Sequence, residues 1–264
     1  MIARTSLEPY ISGSIRTKTR GPVHVGKGVI VEEGAEIIAD SVHLGDFSYI
    51  GKGVRIAVED FSIGDYSKLH AYSFCYGRDS VSIGNCCWIG GNVVLDAMGG
   101  LHIEDGVGIG SHSQIWTHMK CGDIVQGCKY NFSRLVTIKE DAWLVGHCLV
   151  SPVQIGARSM AMLGSVITKD MEADHTYAGV PAKDVTDVFG PQFEFRTPEQ
   201  KQAKLEEIVE TFYKRHPHYR GALEPSDLNA VSRTYIKTYS PAEILFMREH
   251  VPLVKLYERN LKDV

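Results

Sequence analysis

His118 combines a reactive side chain with an open position in the chain. It follows Ile109–Thr117, IGSHSQIWT, in which alternate residues indicate a short strand up to Ile115. Imidazole takes up and releases protons near neutral pH, so a histidine at the edge of a regular structure is suited to general-base catalysis. We therefore expect His118 to remove a proton from an attacking hydroxyl or amine group.

Neighbouring histidines and six cysteines offer other chemistry. His112 falls in a turn region and is expected at the surface, whereas His147 follows Gly146 and is a candidate for lining the same cleft as His118. The cysteines form no C-x-x-C pair, which argues against a zinc knuckle and favours reduced packing residues. No cysteine stands beside a histidine in a recognised nucleophile motif, so a covalent acyl-enzyme is disfavoured.

A repeat of six residues runs through the middle of the chain and must position these groups. Aliphatic residues recur at this spacing, for example at Ile103, Ile109 and Ile115. Glycine often follows the aliphatic residue, where we expect it to accept backbone angles that other residues resist. A small residue comes four positions after the aliphatic one. Three such hexads would make one coil of a prism, and stacked coils would bury a continuous aliphatic core.

Two segments interrupt the six-residue register. One lies between Leu69 and Ile83, and the larger one lies between Ile115 and Ile138. Interruptions of a solenoid loop out on its surface, where they commonly carry function. We expect an inserted loop at about residues 118–136 to cover the active site.

The chain changes character after the last hexad, near Lys169. We divide it into an N-terminal segment (1–22), a β-helix domain (23–189) and a C-terminal α-helical extension (190–264). The fold class is therefore all-β with a helical extension.

Capping signals place the helices of the extension. Thr197, Pro198 and Gln200 predict the start of one helix, and Ser240 with Glu243 predicts another. Residues 252–261 predict a further short helix. The apolar stripes of these helices favour a packing role, and acceptor recognition is the alternative.

The overall composition is that of a globular protein without nucleic-acid or membrane character. The chain has 264 residues, 44% hydrophobic and 23% charged, with a net charge of −4. This charge does not favour a nucleic-acid partner, and no apolar run approaches the roughly 20 residues of a membrane span. No signal peptide is evident, so the expected location is the cytoplasm.

The segment Ile155–Lys183 gives the first specific resemblance. It reads IGARSMAMLGSVITKDMEADHTYAGVPAK and resembles the closing segment of the hexapeptide-repeat acyltransferases, nearest to the galactoside, maltose and xenobiotic acetyltransferases. The resemblance implies a left-handed parallel β-helix, a homotrimer with active sites between subunits, and acetyl-CoA as the acyl donor. Implied coenzyme-binding residues are Trp143, Gly146, Gly164, Ser165, Thr168, Lys169 and Lys183.

The segment Asn92–His118 resembles the same family in its acceptor and catalytic motifs. Gln114, Ile115, Trp116 and Thr117 lead to the histidine. The resemblance implies that His118 is the catalytic base and that Asn92 and Asp96 bind the acceptor. Acetyl transfer to a sugar hydroxyl by direct attack follows, with the oxyanion stabilised by a backbone N–H near Gly146.

Three alternatives stay open at this point. The acceptor could be the amino group of a nucleotide-linked sugar instead of a sugar hydroxyl. A metal lyase of the kind found among carbonic anhydrases with this prism would need His112, His118 and His147 to converge on zinc, and their spacing does not match, so no metal is expected. A non-catalytic scaffold is the third alternative.

Overall fold

A computed structural model describes residues 5–223 and 240–250 of the chain. The chain divides into two compact units, one of residues 7–193 and the other of residues 1–6 with 194–264. The predicted helix at 252–261 lies outside the described residues.

The larger unit is a left-handed parallel β-helix with three sheets, which confirms the predicted fold class. From β1 (Tyr10–Ile11) to β20 (Val136–Ile138) each coil contributes one strand to each sheet in turn, whereas in the later coils isolated bridges at Ile155 and Met171 take the place of sheet C strands. Strands are numbered in chain order, which is also their order in each sheet from one end of the prism to the other. Sheet A contains β1 (Tyr10–Ile11), β4 (Ile30–Val31), β7 (Tyr49–Ile50), β10 (Lys68–Leu69), β13 (Trp88–Ile89), β16 (Gly108–Ile109), β21 (Trp143–Leu144), β23 (Met160–Ala161), β25 (Thr176–Gly179) and β26 (Ala182–Asp184).

The other two sheets complete the prism. Sheet B contains β2 (Ser14–Thr17), β5 (Glu36–Ala39), β8 (Arg55–Ala57), β11 (Phe74–Tyr76), β14 (Val94–Asp96), β17 (Gln114–Ile115), β22 (Leu149–Val150) and β24 (Val166–Ile167). Sheet C contains β3 (Val23–Val25), β6 (Ser41–Leu44), β9 (Asp60–Ile63), β12 (Val81–Ile83), β15 (Leu101–Ile103) and β20 (Val136–Ile138). All pairs in the three sheets are parallel except β25 with β26.

The core is a ladder of the aliphatic residues that the six-residue repeat predicts. Ile109, Ile115 and Ile103 are each fully buried, one from each sheet of a coil. Cys75 is also buried and faces the core between Ile56 and Leu95. A regular hexad therefore exists inside the segment 69–83, and the prediction of an interruption there is wrong in this respect. A thiol replaces the aliphatic side chain, so the repeat is hidden in the sequence.

The glycines after the aliphatic residues have a steric role, which differs from the predicted one. Gly110 has no left-handed backbone angle, but a Cβ atom there would lie 1.9 Å from the carbonyl oxygen of Val145 in the next coil. The left-handed positions fall two residues later, on non-glycine residues such as Asn92 and His112, with φ of 57° and 61°. Glycine is thus selected by the close approach of neighbouring coils.

Buried serines at the corners bind one coil to the next. The Ser73 hydroxyl donates to the carbonyl of Gly90 at 3.0 Å and accepts from the N–H of Val93 at 3.2 Å. Ser67 makes the equivalent pair of bonds with Gly84 and Cys87. These bonds satisfy backbone groups that would otherwise be buried without partners.

The inserted segment leaves the prism after sheet B and returns to sheet C. It contains an antiparallel hairpin of β18 (His118–Lys120) and β19 (Asn131–Ser133). The Arg134 N–H donates to the Thr117 carbonyl at 2.9 Å, so the chain returns beside the point where it left. Strands β16 and β17 pair directly with β21 and β22, and the stack continues across the insertion.

The smaller unit contains two helices longer than two turns within its described part. A short helix, α1 (Thr186–Phe189), ends the larger unit, and the smaller one contains α2 (Pro198–Arg215), a 3₁₀ turn (Pro217–Tyr219) and α3 (Pro241–His250). Thr197 and Gln200 form the predicted capping box of α2. Phe212 and Phe246 pack edge to face at 5.4 Å between α2 and α3.

No helix among residues 5–223 and 240–250 is long and apolar enough to cross a membrane.

Candidate active site

His118 and Asp96 form a hydrogen-bonded pair at the corner between sheets B and C. Asp96 ends strand β14, and His118 begins the hairpin two residues after Trp116, which follows strand β17. The His118 Nδ1 atom lies 2.7 Å from Asp96 Oδ2. His118 keeps 19% of its side chain exposed, whereas Asp96 is fully buried. The pair therefore joins a buried carboxylate to an accessible imidazole.

Further hydrogen bonds hold the Asp96 carboxylate. Its Oδ2 atom accepts from the backbone N–H of Thr117 at 2.7 Å and from the Thr117 hydroxyl at 2.8 Å. Its Oδ1 atom accepts from the Met98 N–H at 3.3 Å. The Thr117 hydroxyl also accepts from the Gly99 N–H at 3.0 Å. The buried carboxylate thus accepts hydrogen bonds from Thr117 and Met98 in addition to its contact with His118.

The geometry selects one tautomer of His118. An ionised carboxylate only accepts hydrogen bonds, so the Nδ1 atom of His118 must carry the proton that it shares with Asp96. In the neutral ring the Nε2 atom is then an acceptor. The arrangement is that of a base oriented by a third group, as proton-transfer sites require.

The negative charge of Asp96 acts on its neighbours along sheet B. Burial raises the pKa of the Cys75 thiol, and the Asp96 carboxylate raises it further. Burial and then Asp96 also raise the pKa of the Tyr76 hydroxyl. Both groups therefore keep their protons at neutral pH. Cys75 is thus unsuited to be a nucleophile.

A cavity of about 220 Å³ opens beside His118 on the outer face of sheet B. Its walls are mostly apolar, and the lining residues are Trp116, His118, Met119, Leu149, Val150, Ser151, Pro152 and Val166. The Trp116 and His118 rings lie 6.0 Å apart. A larger depression of about 450 Å³ lies in the helical unit, but no histidine or cysteine lines it. The smaller opening thus brings the base together with a mostly apolar cavity.

Several residues predicted to join His118 lie at another corner of the same chain. Asn92, Gly146 and Gly164 occupy turns between sheets A and B, whereas His118 lies at the corner between sheets B and C. The Asn92 N–H donates to the carbonyl of Ala71, and its side chain is exposed. The chain by itself does not bring these residues to the His118–Asp96 pair.

Asp96 has a different position from the one expected of an acceptor-binding residue. Its side chain is fully buried, and both carboxylate oxygens already accept hydrogen bonds. The side chain is therefore closed to a substrate and contacts His118 instead. The sequence did not predict the contact between Asp96 and His118 or the burial of the Thr117 side chain. Both Asp96 and Thr117 lie in the motif that ends at His118.

The residues predicted to bind coenzyme A are spread over the later coils. Ser165 is buried, and its hydroxyl donates to the Met162 carbonyl at 2.6 Å. Thr168 and Lys169 are exposed directly after strand β24, which itself carries the cavity residue Val166. Trp143 is 44% exposed on sheet A, and Lys183 is exposed on strand β26. Only Thr168 and Lys169 thus lie on the sheet that carries the cavity.

The three histidines considered for zinc do not converge. The rings of His112 and His147 stack at 4.9 Å at the corner between sheets A and B, whereas His118 bonds to Asp96 at the next corner. Within the described ranges, no three His, Cys, Asp or Glu side chains form a group that could hold a metal ion.

Comparison with known proteins agrees with this architecture. No known protein-family model matches the chain. A serine acetyltransferase of Buchnera aphidicola is 29% identical over 115 residues, which are 43% of this chain and 41% of the relative. The chain thus matches less than half the length of this curated relative.

A solved structure shares the fold over most of its length. The polySia-specific acetyltransferase NeuO superposes with a TM-score of 0.57, at 17% identity, over 70% of this chain and 89% of the NeuO chain. The chain is similar to hexapeptide-repeat acetyltransferases. A hexapeptide-repeat acetyltransferase from Vibrio cholerae, whose structure contains acetyl coenzyme A, is 20% identical over 54% of this chain and 69% of its own, with a TM-score of 0.36.

Proposed function

We propose that the protein is an acetyl-CoA-dependent acetyltransferase that acts on a sugar hydroxyl, with His118 as the general base. The observation that carries this proposal is the 2.7 Å hydrogen bond between His118 Nδ1 and the buried Asp96 carboxylate at the mouth of an apolar cavity. It supplies an oriented base, which a non-catalytic scaffold would not need. The similarity to acetyltransferases supports the choice of reaction.

In this mechanism His118 Nε2 accepts the proton of the acceptor hydroxyl while the hydroxyl oxygen attacks the thioester carbonyl. A C–O bond forms, the C–S bond breaks, and the proton on His118 passes to the departing thiolate of coenzyme A. Asp96 is a positioning residue that fixes the tautomer and stabilises the imidazolium. Such a base typically contributes roughly 10²–10⁴-fold to the rate.

The cavity beside His118 is suited to the acetyl end of the donor. Its apolar wall of Trp116, Leu149 and Val166 matches a thioester arm, and Ser151 adds one polar group. Thr168 and Lys169 stand further along the same face, where the ammonium group of Lys169 would meet a coenzyme phosphate as a point charge. We propose these residues as the part of the donor site that one chain supplies.

The remaining predicted site residues require a second copy of the chain. Asn92, Trp143, Gly146, Gly164 and Lys183 lie at other sheets or corners, so they would reach His118 only from a neighbouring protomer. The proposal therefore includes the homotrimer with sites between subunits. Sedimentation velocity measures its mass directly, and a monomer at assay concentration would remove these residues, including the oxyanion donor near Gly146, from the site.

The function is tested by release of the coenzyme A thiol from acetyl-CoA with a panel of acceptors. The panel contains sugars, nucleotide-linked amino sugars and antibiotics, so that hydroxyl and amine acceptors are compared in one experiment. We expect the fastest release with a sugar hydroxyl. Preference for an amine would move the reaction to N-acetylation, and the absence of release with every acceptor would contradict an acetyltransferase.

The role of His118 is tested by the His118→Ala variant. We expect kcat to fall by roughly 10²–10⁴-fold, the usual contribution of a general base. His24→Ala is the matched control, because His24 is exposed on strand β3, the first strand of sheet C, several coils away from His118. A His118→Ala enzyme with nearly full turnover would refute the assignment.

A further inference from the structure

Two aromatic side chains stand on the outer face of sheet B next to the proposed active site. Phe74 and Tyr76 are the outward residues of strand β11, on either side of the core-facing Cys75. Their rings lie 5.0 Å apart with 21° between their planes, and Phe74 is 42% exposed. Of the eight strands of sheet B, all of them in the described part, only β11 has aromatic side chains at both outward positions.

The register connects this aromatic pair to the base. Tyr76 pairs with Asp96 on one side and with Ala57 on the other, and Phe74 pairs with Val94. Adjacent strands lie about 4.8 Å apart, so Tyr76 is one strand away from the carboxylate that holds His118. Arg55 pairs with Phe74 on the other side, and Phe74 is exposed whereas Tyr76 is partly exposed. The two stacked rings together form an accessible apolar surface beside the His118–Asp96 pair.

We propose that Phe74 and Tyr76 form the stacking platform for the ring of a sugar acceptor; this inference rests on the proposed function and specifies its acceptor site. A pyranose ring has one apolar face of C–H groups and an edge of hydroxyl groups. Phenylalanine offers a flat apolar surface to such a face, and tyrosine adds a polar tip. The platform would hold the ring so that one hydroxyl reaches His118.

The charge near Tyr76 fits this role. Burial and the Asp96 carboxylate raise the pKa of the Tyr76 hydroxyl, so this hydroxyl remains protonated at neutral pH. A protonated phenol can donate a hydrogen bond to a ring or hydroxyl oxygen of the sugar. Asp96 itself is buried, so Phe74 and Tyr76 form the exposed surface on this side of the His118–Asp96 pair.

The donor and the acceptor would then approach His118 from opposite sides. The apolar cavity lies on the side of Trp116, Leu149 and Val166, in the coil of His118 and the two coils that follow it in the stack. The platform lies on the other side, in the coil that precedes Asp96. Binding of the two substrates would therefore be separable by mutation, which the experiment uses.

The kinetic test measures Phe74→Ala and Tyr76→Ala with a sugar acceptor and acetyl-CoA. We expect KM for the sugar to rise about tenfold in each variant, as expected for one aromatic contact. KM for acetyl-CoA should stay near the wild-type value. Tyr10→Ala is the matched control, because Tyr10 is an aromatic residue of sheet A with 40% exposure, similar to that of Phe74.

A binding test does not depend on catalysis. Saturation-transfer difference NMR uses methyl glycosides of glucose, galactose and N-acetylglucosamine, with acyclic sorbitol as the probe that has hydroxyl groups but no ring face. We expect ring C–H signals from at least one glycoside, lost in Phe74→Ala and kept in Tyr10→Ala, and weaker signals from sorbitol.

The outcomes separate this inference from the proposed function. Equal sugar KM and equal NMR signals in the wild type and both variants would overturn the platform, even if acetyl transfer is measured. A change of sedimentation mass in the variants would also overturn it, since the face would then be a contact between copies of the chain. Binding of a glycoside that depends on Phe74, without any acetyl transfer, would support the platform and contradict the enzymatic proposal.

Discussion

Replacement of Asp96 by asparagine tests how the carboxylate assists His118. Two Thr117 donors and His118 all meet the Oδ2 atom, whereas only the Met98 N–H meets Oδ1, at 3.3 Å. An asparagine at this position must therefore place its carbonyl oxygen at the Oδ2 site, because its NH₂ group would face three donors there. The amide would keep the Nδ1–H tautomer of His118 and remove only the negative charge.

The loss of the Asp96 negative charge determines how far kcat falls in Asp96→Asn. His118 Nδ1 and Asp96 Oδ2 are 2.7 Å apart, which puts the centres of charge about 4 Å apart. Their attraction is about 4 kcal/mol at an effective dielectric constant of about 20. If about half of the imidazolium charge has formed in the transition state, Asp96→Asn loses about 2 kcal/mol. We expect kcat to fall about 30-fold, much less than the ~10⁴-fold loss that a wrong tautomer causes.

The assay is thiol release from acetyl-CoA under saturating substrates, with Asp79→Asn as the control. Asp79 is an exposed carboxylate whose Oδ1 atom accepts a hydrogen bond from the neighbouring Ser80 N–H. Nitrogen NMR of the imidazole reports the tautomer of His118 in both proteins. Unchanged turnover in Asp96→Asn, or an Nε2–H tautomer in the wild-type protein, would refute the reasoning.

Two further predictions concern stability and titration. Gly110→Ala should lower the free energy of unfolding by about 3 kcal/mol, because its Cβ would lie 1.9 Å from the backbone oxygen of Val145. Denaturant unfolding measures this value, and Gly127→Ala, with no atom within 4 Å of its Cβ, should cost less. The hydrogen bond with Asp184 raises the pKa of His175 above 6.5, while bonds from Thr186 and then His175 lower that of Asp184 to about 2. The stabilisation from Asp184 is lost as the pH falls through about 2, and that from His175 is lost as the pH rises through its raised pKa. The pair is therefore fully formed between roughly pH 4 and 6.5. NMR titration should show a midpoint above pH 6.5 for His175, and this midpoint should be lower in the Asp184→Asn variant. An unchanged midpoint in that variant would contradict the pairing.

The fold was predictable because each position of the six-residue repeat requires one type of side chain. Each inward position needs an apolar side chain of limited size, and Ile109 or Ile115 satisfies that need without reference to distant residues. The exception was Cys75, where a thiol fills the same space and conceals the hexad from a search for aliphatic residues. The physical reason for the glycines was also hidden, since the close approach of Val145 to Gly110 depends on the distance between coils.

The site was predictable only in part, since its geometry depends on which corner of the prism each turn occupies. His118 stands out because the repeat stops beside it, but 22 positions separate it from Asp96, and no local pattern indicates that the two meet. Asn92 and Asp96 are close in sequence, yet strand β14 carries the chain from one corner to the next between them. Residues such as Asn92 and Asp96, which form one motif in the sequence, therefore lie at different corners of the prism.

The hydrogen bond from the Arg134 N–H to the Thr117 carbonyl makes the inserted hairpin a self-contained module. Because the two ends of the insertion meet and the strands before and after it pair directly, residues 119–133 can change in length or sequence without shifting the coil register. Selection could thus remodel the rim above His118 while the stability of the prism stays constant. Exchange of this hairpin between related chains would therefore change the cavity wall at Met119 and leave the prism intact.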